Sequence, residues 1–427
     1  MLELRKLAAA SMLSIVWAQT AAAQPSSDSP FLLVFAGDED EAQSDFFAVI
    51  DMRAGSPTRG EPIATLPIGM RASMPHHMEY FTPPAGERIF ANAHHHEMSL
   101  LIDVSNPLAP TIAKTFGPPA PLRFPHDFTR TPTGTRLVGF LRSEGASPDP
   151  QEVVNPGNHG GIAEYTADGE LLRLASAEAP GVITPIRPYA FALLPHIDRL
   201  VVTSAAMMER RNADVVQVFR YSDFALLETM QLPAGRLADG TEVPGSQRQG
   251  FGPRVLDDGS VFFNAYGCAF YRLDNLAEQP RLTNVFTLQT PNLAPDAPAH
   301  HVRGSCGIPV VFGDYWLMPV GQLHAVVVLD IADPSAPREV SRLSTPDSFN
   351  PHWLHRDQSS NRLVLGAELG GESGYFVLRF DDRTGRLSFD PEFRADGQRG
   401  YLTLHREAWP HGTTGPAWGH AALFLRE

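Results

Sequence analysis

One motif recurs seven times along this chain, and it restricts the fold more than any bulk property does. Each copy is a β-branched or aromatic strand, a polar turn containing Asp with Pro or Gly, and a second alternating strand. The copies are FFAVIDMRAGSPTRGEPIATL from Phe46, SLLIDVSNPLAPTIAKTF from Ser99, GIAEYTADGELLRLA from Gly161 and VVQVFRYSDFALLETMQL from Val215. AFYRLDNLAEQPRLTNVFTL from Ala269, AVVVLDIADPSAPREVSRL from Ala325 and GYFVLRFDDRTGRLSFDPEF from Gly374 complete the series. Their starts lie about 50 to 60 residues apart, and two further short strands, such as RIFANA or RLVGFL, fit between neighbours. Four strands per repeat is the arithmetic of a propeller blade. No long apolar series at i, i+3, i+4 with caps argues for helices.

The expectation is therefore an all-β, seven-bladed β-propeller spanning residues 24–427 as one domain; an array of sandwiches is the competing all-β reading. The 35 Gly and 38 Pro are spread from Pro25 to Pro416 and leave no low-complexity linker. PFLLVFAGD near the start and HAALFLRE at the end each read as a strand. Together they can complete one blade, closing the ring and removing an exposed sheet edge.

Residues 1–23 have the pattern of a secretory signal. Arg5 and Lys6 precede the short apolar run LAAASMLSIVWA, and Ala21, Ala22 and Ala23 lead to a cut at Gln24. The run is too short to span a bilayer, so the expectation is a periplasmic or secreted protein with no membrane insertion after signal removal. The formal net charge is −14, and Lys6 and Lys114 are the only lysines. No basic stripe is available to follow a phosphate backbone, which excludes nucleic acid as a partner.

The 16 histidines matter through their placement. Each repeat pair is preceded by a strand opening: MPHHMEY (74–80), RFPHDF (123–128), IRPYAF (186–191), QGFGPRV (249–255), PAHHVRG (298–304), FNPHWLH (349–355) and AWGHAAL (417–423). First strands of all blades line the axis, so these openings converge at one mouth of the channel. Neutral imidazoles carried on separate rigid strands are what a histidine-ligated metal needs. The expected ligands are drawn from His77, His126, His301, His352 and His420. By strand alternation His76, His300 and His355 should point elsewhere, with His76 kept as an axial or substrate contact. Arg187 and Arg254, at the two openings without histidine, are expected to offset negative charge at the mouth.

HHHEM at 94–98 falls in a turn between second and third strands, on the face of the mouth. His94, His95 and His96 there form either a solvated run, a lid or a second metal cluster. Cys268 and Cys306 are the only cysteines. Free buried thiols, a disulfide, and a metal or substrate contact through Cys268 all stay open. Met74, Met78 and Met98 flank the histidines, and thioethers beside imidazoles favour copper. GxSxG, P-loop, HExxH and dinucleotide fingerprints are absent from the sequence.

The order of HH in MPHHMEY, SLLIDVSNPLAP, the PH of RFPHDF, GCA at 267–269, VLDIADPSAP, LSFDPEF and the final GPAWGH resembles the selenium-binding protein family, which includes bacterial periplasmic methanethiol oxidases. The resemblance implies a seven-bladed propeller and a copper-dependent oxidase that takes a small thiol and dioxygen to an aldehyde, hydrogen peroxide and sulfide. Its matching positions are His76 or His77, His126, His420 and Cys268. PHDF and GHAALF are also similar to the histidine motifs of carotenoid cleavage oxygenases, propellers with four axial histidines on iron, which makes iron the alternative metal. Two non-enzymatic readings compete: a propeller that binds or delivers copper without turnover, and an interaction propeller whose histidines are incidental.

Overall fold

The computed structural model describes residues 28–144, 158–205, 207, 212–291, 306–368 and 374–426. They form seven antiparallel sheets of four or five strands, the blades of a β-propeller. Inner strands, in chain order, are Pro75–Met78, Leu122–Arg130, Pro188–Leu194, Arg254–Val255, Val310–Phe312 and Pro351–Arg356 for blades 2 to 7. Blade 1 takes its inner strand, Ala417–Leu425, from the C-terminal end, and its next strand, Phe31–Asp38, from the other end. Seven residue pairs from Phe31↔Leu425 to Asp38↔Ala417 close the ring. The closure predicted from PFLLVFAGD and HAALFLRE is thus present.

All seven repeats are the outer strand pairs of blades, and in most of them an Asp does the same job. Asp51, Asp103, Asp330 and Asp381 each accept the backbone N–H of the residue two places on, at 2.9 to 3.1 Å. Such a carboxylate satisfies the turn's own donor, which is why Asp recurs where the chain reverses. Burial follows position in the blade. The third strand Ala325–Asp330 is buried along nearly all its length because neighbouring blades cover both faces, so it reads AVVVLD. The outermost strand Thr111–Phe116 alternates exposed and half-buried.

Blade 6 departs from the sequence reading. Its inner edge runs from Cys306, paired with Val320, through Ile308 to Val310–Phe312, and not from PAHHVRG. The histidine pair at 300–301 drew the assignment several residues too early; His301 lies outside the described residues, as does the expected signal segment 1–23. Gly307 is required here, since a Cβ on it would lie 2.3 Å from the His352 carbonyl oxygen of blade 7.

Cys268 and Cys306 form a disulfide that ties blade 5 to the inner edge of blade 6. Neither sulfur is therefore a free thiol, and Cys268 is corrected from a substrate contact to a structural cross-link. The bond closes a loop 38 residues long. Removing it in a Cys268→Ala/Cys306→Ala variant is expected to cost ~2–4 kcal/mol, mainly through the freer unfolded chain. Equal denaturant midpoints for the variant and the oxidised parent would sink that expectation. Among the described residues no helix is long and apolar enough to cross a membrane.

Candidate metal centre

The inner strands carry a common irregularity that decides what reaches the axis. Register shifts fall between Pro75 and Met78, Pro125 and Phe128, Pro188 and Phe191, and Pro351 and Trp353. Proline lacks the N–H that a ladder requires, and the resulting bulge re-aims the side chains that follow. His76, His126 and His352 directly follow three of these prolines, and His420 follows Gly419. Blades 4, 5 and 6 present Tyr189, Phe251 and Ile308 there instead, and these join the core.

Six histidines converge from four adjacent blades. His420 comes from blade 1, His76, His77 and His94 from blade 2, His126 from blade 3 and His352 from blade 7. The largest exposure among them is 5%, at His352. His76 stacks against both His77 and His420, with ring centroids 4.2 and 4.4 Å away, and those two lie 5.6 Å from each other. His126 lies 4.1 Å from His77, His352 5.1 Å from His420, and His94 5.3 Å from His76. One nitrogen from each of His76, His77 and His126 can be chosen so that all three lie within 4.8 Å of one another.

The expectation that alternation turns His76 away is corrected by the bulge, which brings His76 and His77 to the axis side by side. His94 belongs to the cluster, whereas His95 and His96 are exposed. His355 lies apart, its ring nitrogens 3.1 Å from the Tyr80 carbonyl and 3.2 Å from the Thr82 hydroxyl. Arg187 is buried at the mouth, with its guanidinium donating to the Asn158 carbonyl. Arg254 is corrected more strongly. It lines a cavity with Tyr80, Thr129, Leu193, Val310 and Leu354, which lie further along the inner segments than the histidines, and so faces the opposite end of the channel.

Burial is the largest cause holding every ring of the cluster to its neutral form. His76 and His77 are pushed well below the ordinary imidazole value, with neighbouring histidines adding to the effect. His420 and His126 move the same way, His126 opposed in part by the Tyr189 carbonyl. His94 falls to about 3, and His352 is lowered against the pull of Glu368. A neutral imidazole is the form that ligates a metal. Both ring nitrogens of His76 and His420, Nε2 of His77, and Nδ1 of His94 and His352 have no hydrogen-bond partner among the described residues. Buried polar atoms in folded proteins are normally paired. Seven orphaned nitrogens in one cluster of rings, two of which (His76 and His77) can each offer a nitrogen within 4.8 Å of one on His126, fit a metal ion.

Residues that sequence reasoning passed over position the cluster. Asn92, fully buried, accepts the His77 N–H and donates to the Pro125 carbonyl, both at 2.7 Å, and so locks blade 2 to blade 3 between their histidines. Met207 places its sulfur 3.2 Å from His126 Nε2. The signal for it was positional: it lies between the second and third strands of blade 4, as His94 does in blade 2. Met74 and Met78 are buried, Met78 in the main core cluster. Below the rings lies an aromatic floor. Tyr80 and Trp353 stack at 5.2 Å, Tyr189 and Phe251 at 4.3 Å, and the Tyr80 hydroxyl is 3.2 Å from His77 Nδ1.

No protein-family model matches the sequence, and no curated protein matches it. Among solved structures, a hypothetical selenium-binding protein from Sulfolobus tokodaii is similar with a TM-score of 0.70 at 13% identity, covering 92% of this chain and 93% of that one. The likeness shows the fold. A periplasmic gluconolactonase from Pseudomonas aeruginosa has a TM-score of 0.57 at 15% identity, covering 92% of this chain and 99% of its own. A putative 6-phosphogluconolactonase from Bacteroides fragilis gives 0.56 at 11% identity, with 89% and 98% covered. These proteins share a propeller and carry different names, so the chemistry of this chain has to be argued from its own site.

Proposed function

We propose that this chain is an exported, copper-dependent oxidoreductase that oxidises a small thiol at the axial histidine cluster. The observation that carries the reading is the convergence of six buried imidazoles with seven unpartnered nitrogens. His76, His77 and His126 would hold the ion, with His420, His352 and His94 around them and the Met207 thioether beside His126. An imidazole and thioether donor set favours copper over harder ions; iron is the alternative that metal analysis decides.

Bound there, copper supplies the redox chemistry between thiol and dioxygen. The reaction balances as one primary thiol, one dioxygen and one water giving one aldehyde, one hydrogen sulfide and one hydrogen peroxide. The protein's part is to fix the rings and keep the site dry. Asn92 sets the spacing of two histidine-bearing strands, and Tyr80, Trp353, Tyr189 and Phe251 exclude water from below. Complete burial of the ligand set favours a retained cofactor over copper delivery, which needs ligands within reach of a partner. The disulfide supports an oxidising compartment, in keeping with the N-terminal signal pattern.

The test is elemental analysis of protein matured in the periplasm, beside a His126→Ala variant, followed by oxygen uptake with methanethiol. Stoichiometric copper lost in the variant, with uptake by the parent, is the expected outcome. Trace metal in both samples would leave a structural propeller. A fully metallated sample that takes up no oxygen, or that instead hydrolyses gluconolactone, overturns the oxidase reading.

A further inference from the structure

A second cavity lies on the propeller axis, at the end opposite the histidines. It measures about 390 Å³ and is lined by the later residues of the inner strands, Thr129, Phe191, Leu193, Arg254, Val310 and Leu354 among them, together with Tyr80, Phe81 and Arg356. That volume suits a ligand of about ten heavy atoms, within the lower range of small-molecule pockets. Its walls are mostly apolar, with Thr129, Gln358 and three arginines among them, and Phe81 is 51% exposed at the rim.

Three arginines border it, and they differ. Arg130 is committed to Glu79 and Glu87. Arg254 donates only to the Pro253 and Pro309 carbonyls, at 3.0 and 2.9 Å, and stacks 5.3 Å over the Tyr80 ring. Arg356 donates to the Val311 carbonyl at 3.4 Å, lies 3.6 Å over Phe312, and has a buried Nε with no hydrogen-bond partner. Among the described residues no carboxylate forms an ion pair with Arg254 or Arg356. The carboxylates that act on them do so at longer range: buried Asp127 on Arg254, and Asp357 and Asp382 on Arg356, with Asp357 already paired to Arg362. Two half-buried guanidiniums facing one cavity, with no carboxylate among the described residues in contact with either, are a costly arrangement that a bound anion would relieve. Guanidinium stacked on an aromatic ring keeps its donor edge for a planar acceptor such as carboxylate.

We propose that this cavity is a binding site for a small organic carboxylate with an apolar body, its carboxylate held by Arg254 and Arg356 and its hydrocarbon against Phe81, Phe191 and Leu354. The site does not depend on a metal at the histidines, because none of its anion-holding groups belongs to that cluster. Tyr80 lies between the two, lining the cavity while its hydroxyl approaches His77.

Calorimetric titration of the metal-free full chain with phenylacetate tests this, with phenylacetamide as the uncharged isostere. Phenylacetate is expected to bind, and the amide to bind about 10- to 100-fold more weakly, as does phenylacetate to Arg254→Gln and to Arg356→Gln. Val255→Trp fills the cavity from an exposed position, 40% accessible, and so blocks binding with little risk to folding. Equal affinity for acid and amide, unchanged affinity in both arginine variants, or no binding by phenylacetate and hexanoate at millimolar concentration overturns the proposal. Binding that persists in the His126→Ala protein separates this site from the metal reading, since loss of metal leaves it intact.

Discussion

A His76→Phe variant is expected to be more stable than the parent when both are metal-free, and less stable when both are metal-loaded. The imidazole of His76 is 2% exposed, and neither of its nitrogens has a hydrogen-bond partner. Leaving a buried polar group unsatisfied costs ~1–3 kcal/mol, whereas an apolar group of similar shape removes that cost. A phenyl ring keeps the parallel stacking on His77 and His420, whose planes are tilted by only 8° and 12°. A gain of ~1–2 kcal/mol in the metal-free protein follows. With the ion present the sign turns, because a ligand bound only by the folded state at 100 times its dissociation constant adds ~2.7 kcal/mol, which the variant forfeits. His355→Phe is the control: its nitrogens contact the Tyr80 carbonyl and the Thr82 hydroxyl, so it should lose stability in both conditions. Denaturant melts of four samples, parent and His76→Phe with and without copper, read the reversal. Destabilisation of the metal-free variant to the same degree as His355→Phe would mean that His76 is an ordinary structural residue.

This sign reversal also marks where sequence reading stopped. The repeat turns were legible because in five of the seven an Asp carboxylate accepts a backbone N–H of its own turn, so the signal survives in single repeats. The histidine-bearing openings were legible for the same reason, since Pro-His recurs at 75–76, 125–126 and 351–352. What lay outside that reach depends on register. One bulge decides whether His76 or only His77 faces the axis, and strict alternation gives the wrong answer there. In blade 6 the conspicuous histidine pair outweighed the plain apolar run GIPVVF, which supplies the inner strand. Arg254 was misplaced because one inner segment serves both ends of the channel: Phe251 belongs with the core near the histidines, and Arg254 lines the cavity beyond it. Asn92 and Met207 act across blades, between positions 33 and 81 residues apart. No local pattern announces them.

A further substitution with a large expected effect lies just behind the cluster, at Glu79. This carboxylate is 1% exposed and sits three residues beyond His76 on the same segment. It accepts from Arg136 Nε at 2.7 Å, from Arg130 Nε at 2.9 Å and from the Phe90 N–H at 3.1 Å. Arg136 is itself buried on the first part of the neighbouring blade's second strand, where its guanidinium also donates to the Gly134 and Arg88 carbonyls. Blade 2 is thereby pinned to blade 3 below the histidines, as Asn92 pins it among them. Glu79→Gln keeps the shape and leaves the Arg136 charge buried without its counter-charge, which typically costs ~3–5 kcal/mol. Replacing both partners, as in Glu79→Met/Arg136→Leu, removes the stranded charge and should recover most of that loss, because a well-packed apolar pair is often as stable as a buried ion pair. Arg130 retains Glu87 in that double variant. Urea midpoints of the parent, Glu79→Met, Arg136→Leu and the double variant give the coupling directly, and copper content reports whether the histidine spacing survives. Additive losses in the double variant would show that the two groups act independently, and the inter-blade lock would then rest on the Asn92 bridge and apolar packing alone.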